Sequence, residues 1–75
     1  MPIIVRLQYS VIRMYFGDHN PPHFHVETTE GRALLAIEGL GLIEGNAKAP
    51  ALMEARAWAE ANKERLLTAW REFHP

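Results

Sequence analysis

Apolar positions alternate along the first half of the chain and change period after residue 50. Alternation at period two sends successive side chains to opposite faces of a strand, whereas recurrence every three to four residues lines one face of a helix. Pro2–Leu7 is short, branched and apolar, as an opening strand is, and Gln8, Tyr9 and Ser10 break it before Val11–Phe16. In that second strand Ile12, Met14 and Phe16 share one face, with Val11, Arg13 and Tyr15 on the other. A third strand, His23–Glu27, sets Phe24 and Val26 opposite His23, His25 and Glu27. A Thr-Thr-Glu-Gly turn leads to a fourth over Arg32–Glu38, and Leu42 with Ile43 can add a short fifth at the edge.

After Pro50, at 100° per residue, Ala51, Leu52, Ala55, Trp58, Ala59, Leu66, Trp70 and Phe73 fall within an arc of about 120°, the stripe of a helix lying on a sheet. Pro50 suits a first helical turn, where its missing N–H is not needed. One helix from Pro50 to Phe73 would run about 36 Å at 1.5 Å per residue, too long for so small a domain. A break near Asn62 is therefore expected, with that asparagine capping a second helix. The predicted fold is α+β. A small antiparallel sheet of four or five strands packs against two C-terminal helices in a single domain over residues 1–75.

Composition refines this picture in three places. A chain of 75 residues has one modest core, and with no cysteine it has neither a disulfide nor a thiolate-held metal to brace it. The net charge of -1 supplies no overall attraction to phosphate backbones. The basic residues Lys48, Arg56, Lys63, Arg65 and Arg71 are interspersed with Glu54, Glu60, Glu64 and Glu72 as on a solvated helix surface. Trp58 and Trp70 keep helical spacing with alanines and leucines and are expected in the core or an interface. The opening segment lacks a basic leader followed by a long apolar run, so no membrane association and a cytoplasmic location are expected.

Candidate chemistry concentrates in Met14–Val26, where His19, His23 and His25 fall within seven positions and Asp18 adjoins the first. His23 and His25 leave one face of a strand, and the preceding Gly-Asp-His-Asn-Pro-Pro turn can fold Asp18 or His19 back toward them. Neutral imidazole nitrogens and a carboxylate suit a divalent metal such as zinc, or iron, manganese or nickel, and Glu27 is a further ligand or an outer acceptor. If the site is catalytic, His23 and His25 act as ligands or as acid and base, and Arg13 stabilises charge developing on a phosphate. The competing expectation is structural: a turn bonded to itself and two histidines on a hydrated sheet face.

Two known patterns come near and fall short. Gly17, His23, His25 and Glu30 keep the spacing of half a cupin motif, but Ile37 stands where its glycine belongs. His23-Phe24-His25 is similar to the paired histidines of single-strand endonucleases, whose nucleophilic tyrosine lies on a helix; here Tyr9 and Tyr15 lie in the first strands. Phosphate-loop, HExxH and nucleophile-elbow signatures are missing from the sequence.

The segment VIRMYFGDHNPPHFHVE, an AIE strand, Gly45 and the terminal EARAWAEANKERLLTAW together resemble the family catalogued as domain of unknown function 4160, from about Ile3 to Trp70. Asp18, His19, Pro21, Pro22, His23, Phe24 and His25 match its central motif, and Trp58 and Trp70 its two tryptophans. The resemblance implies a small bacterial or phage α+β domain without a settled activity. Some members occur beside small partner proteins, as in toxin-antitoxin modules. Asn62 stands where many relatives carry histidine, which argues against that position as an indispensable ligand, and NAKAP replaces a common Leu-Pro step.

The leading expectation is a protein-interaction module with a small protein partner or a second copy of itself, one member of a two-gene pair. The alternative is a metal-dependent or histidine-assisted ribonuclease or phosphodiesterase built on His19, His23 and His25. Enzymatic activity is left open between them.

Overall fold

Short strands separated by polar and glycine-bearing turns fold as a meander, since each turn returns the chain beside the strand it has just left. The computed structural model describes residues 3–74; Pro2, assigned to the first strand, lies outside them. β1 (Ile3–Arg6), β2 (Val11–Arg13), β3 (His23–Thr28), β4 (Gly31–Ala36) and β5 (Leu42–Gly45) form one antiparallel sheet in sequential order. α1 (Ala49–Ala61) and α2 (Lys63–Phe73) follow. This is the α+β architecture expected, with the fifth strand present.

Register decides which residues enter the core. Ile12 stands opposite Val26, Val26 opposite Ala33 and Phe24 opposite Leu35, so all five project to one side, and all are fully buried. Met14, Ile37, Ala55, Ala59, Leu66 and Trp70 complete this cluster. Ala51, Ala55 and Ala59 form the buried stripe of α1, and these small side chains let the helix lie close to the sheet. Glu54 ties the two together by accepting the N–H groups of Gln8 and Tyr9 at 3.1 and 2.9 Å. The second row runs Arg13, His25, Leu34, Glu44 across four strands and faces away from the Phe24 side.

Three local expectations need correction. β2 ends at Arg13, three residues earlier than the alternation predicts, because the chain leaves the sheet toward Gly17, whose φ of +77° suits a residue without Cβ. Met14 still reaches the core, but Phe16 is 68% exposed and packs on Phe73, ring centroids 4.6 Å apart. The ladder of β4 ends at Ala36, although the N–H of Ile37 still reaches the Pro22 carbonyl at 3.0 Å. The helix breaks at Asn62 as expected but not by side-chain capping of α2: Asn62 Nδ2 donates to the Trp58 carbonyl at 2.8 Å, satisfying an end of α1 instead. The break keeps each helix within a domain whose longest extent is 32 Å. No helix among the described residues is long and apolar enough to cross a membrane.

Candidate metal centre

β3 aims His23 and His25 to the same side because they are two residues apart, and the pleat of its neighbours holds them there. Both are nearly buried, 6% and 8% exposed, rather than on a hydrated face. The turn after β2 brings Asp18 over them, with Oδ2 at 3.1 Å from His25 Nε2 and 3.5 Å from His23 Nε2. The three donor atoms all lie within 4.8 Å of one another. Ligand atoms about 2.1 Å from an ion at tetrahedral angles stand about 3.4 Å apart, so the two Asp–His separations already match a shared ion.

The donor chemistry fits as well. His23 Nδ1 lies 2.8 Å from the Pro21 carbonyl, which can only accept, so the ring carries a proton there. In the neutral ring Nε2 then presents a lone pair to Asp18, another acceptor. Either a proton on Nε2 or a cation between the two groups satisfies that contact, and an N–H to carbonyl bond behind a ligating imidazole is the usual way its tautomer is fixed. His25 Nδ1 is buried and has no hydrogen-bond partner among the described residues, so ligation through Nε2 would place the ring's proton on an unpaired nitrogen. Asp18, His23 and His25 can thus hold a divalent metal.

The remaining candidates are placed elsewhere. His19 is exposed and is not in the group formed by its neighbour Asp18. Glu27 is engaged on both oxygens, by Arg13 Nε at 2.8 Å and by the Tyr15 hydroxyl, which donates to Oε2. Both of its oxygens are thus taken up outside the Asp18, His23 and His25 group. Arg13 pairs with this carboxylate beside His25, its partner in register. Tyr15 packs edge-on against the His25 ring at 4.6 Å and 78°. Its phenol is held above the ordinary range first by the hydrogen bond to Glu27, then by burial and by the charge of that carboxylate.

Two participants were not singled out from the sequence. Trp70 was expected in the core or an interface, and its ring also lies 5.3 Å from that of His23. His74, the fourth histidine, stacks on Trp70 at 3.8 Å and 20° and reaches the Asp18 carbonyl with Nε2 at 2.9 Å. Its only sequence signal is its place one helical turn after Trp70, which puts both side chains on one side of the helix end.

Comparison with known proteins supplies a family and no activity. No curated protein and no solved structure gives a significant match. The family model described as Domain of unknown function (DUF4160) matches residues 10–71, which include the turn, both β3 histidines and Trp70. The chain belongs to this family.

Proposed function

We propose that the protein binds a divalent metal through Asp18 Oδ2, His23 Nε2 and His25 Nε2 and uses it in hydrolysis of a phosphodiester, with RNA the substrate class. The observation that carries the reading is the convergence of one ligand atom from each of Asp18, His23 and His25 within 4.8 Å, with both histidines buried. Three protein donors leave coordination positions open, as in catalytic rather than closed structural sites. When bound, such an ion supplies Lewis acidity toward a phosphoryl oxygen and toward water. Asp18 contributes the single negative charge of the set, and the two neutral imidazoles leave the ion electrophilic. Arg13, beside His25 and partly neutralised by Glu27, provides positive charge on the same face.

The test is metal analysis of purified protein followed by RNA turnover with zinc or manganese, in the wild type and the His23→Ala/His25→Ala double variant. Stoichiometric metal and turnover lost with the histidines are expected. Equal turnover in the double variant would sink the catalytic assignment.

A second reading, the interaction module, draws support from a different part of the molecule. β5 is an edge strand whose Leu42 and Ile43 are 45% and 44% exposed, an edge that a second copy can extend. Sedimentation of the wild type and Ile43→Lys tests it. A dimer lost in the variant is expected, and a monomer at all concentrations would refute self-association.

A further inference from the structure

We propose that His74 is a positioning residue for the metal centre, holding the Asp18 turn against the end of α2. The inference rests on the metal reading above and concerns what sets the distance between the carboxylate and the two histidines. His23 and His25 are fixed by β3, but Asp18 sits on a turn bracketed by exposed Phe16, Gly17, His19 and Asn20. Nothing in the ladder of the sheet holds that turn, so its position depends on what it touches.

It touches the end of α2. His74 Nε2 lies 2.9 Å from the Asp18 carbonyl while Nδ1 lies 2.8 Å from the Trp70 carbonyl. Both partners are carbonyl oxygens, so the ring bridges the turn and the helix end. With its two nitrogens on carbonyl oxygens, His74 is unavailable as a fourth ligand. Stacking on Trp70 fixes the plane of the ring, and the same indole packs on His23. Phe73 meets Phe16 on the other side of Gly17. One turn of α2 thus contacts the backbone of one ligand residue and the ring of another. Contacts of this kind orient ligands, and their loss commonly costs about 10–100-fold in metal affinity.

The experiment compares the wild type with His74→Phe, which keeps an aromatic ring but no donor, and with His74→Gln, whose amide still has an N–H to donate. Zinc affinity is measured by calorimetry. Metal-free samples are melted, and hydrogen exchange is followed at Asp18 and His19. We expect His74→Phe to lose about 10-fold or more in zinc affinity with faster exchange in the turn and a shift of only a few degrees in the metal-free melt. His74→Gln should recover part of both. Wild-type affinity and unchanged exchange in His74→Phe would overturn the role of His74 while leaving the metal site standing. A wild type that takes up no zinc would instead overturn the site itself and this role with it. If His74→Phe does not fold, His74→Gln against His74→Leu decides the matter: leucine offers no donor to the Asp18 carbonyl, so equal zinc affinity in the two contradicts the proposal.

Discussion

Asp18 is the residue on which the two states of the site differ most. Without a cation its Oδ2 lies 3.1 Å from His25 Nε2 and 3.5 Å from His23 Nε2. Asp18→Asn replaces the carboxylate by an amide of nearly the same shape whose N–H can reach the bare His23 nitrogen. Zinc affinity should fall at least about 100-fold, beyond the roughly 10–100-fold expected for an outer contact, because one ligand and the only charge are lost. Metal-free stability should stay within about 1 kcal/mol of the wild type, the scale of one hydrogen bond exchanged for another. Calorimetry and urea denaturation read the two quantities separately, and a large loss of metal-free stability would mean that the carboxylate is a structural acceptor. Tyr15 offers a second residue-scale test. Its folded-state phenol is raised from the ordinary value of 10.0, chiefly by its bond to Glu27, so the proton is held more tightly in the folded chain than in the unfolded one. Its contribution is therefore whole below the unfolded value and is lost as pH climbs through the folded one. Thermal melts should show a decline above pH of about 10 that is shallower in Tyr15→Phe. Identical alkaline limbs would remove the linkage.

The elements meet at a few places where one residue type is required, and Gly45 in β5 is the clearest. Its φ is +73°, and a Cβ there would lie 2.3 Å from the backbone oxygen of Arg32, on the neighbouring strand. Gly45→Ala should cost upward of about 2 kcal/mol from unfavourable backbone conformation and displacement of β4, seen as a lower urea midpoint at unchanged slope. A variant as stable as the wild type would show that the β4–β5 pairing yields easily. How far such features were legible follows from the range of the forces involved. The strands, the helical stripe and the break at Asn62 could be read because period and length are local properties. Where β2 stops could not, because Met14 continues the alternation and only the path toward Gly17 carries Phe16 out to Phe73. The pairing of His23 with His25 followed from the pleat. Choosing Asp18 over its neighbour His19 required the course of the turn, and His74 reaches it from 56 positions away in the chain. No local pattern encodes that contact.

At the scale of the whole molecule, the design leaves a small core on one face of the sheet and a polar cluster on the other. A chain of 75 residues without cysteine has no covalent brace, and its folding free energy is expected at only about 4–11 kcal/mol. Phe24, Val26 and Ile12 are buried beneath the helices, while His23 and His25 of β3 are covered by the Asp18 turn and the end of α2. A cation joining Asp18 to β3 would therefore link the sheet, the β2–β3 turn and, through His74 and Trp70, the last helix. Because an unfolded chain has no such arrangement of donors, binding to the folded state adds stability by mass action. At free zinc 100-fold above the dissociation constant the gain is about 2.7 kcal/mol. For a domain of this size each 1 kcal/mol moves the melting temperature by about 4–8 °C, so a rise on the order of 10–20 °C is expected. The rise should be reversed by a chelator and be absent in Asp18→Asn, whose metal-free melt serves as the baseline. A wild type that melts at the same temperature with and without zinc would show that nothing binds the folded state preferentially. The burial of two histidines beneath a carboxylate would then be a purely structural device for closing the second face of the sheet.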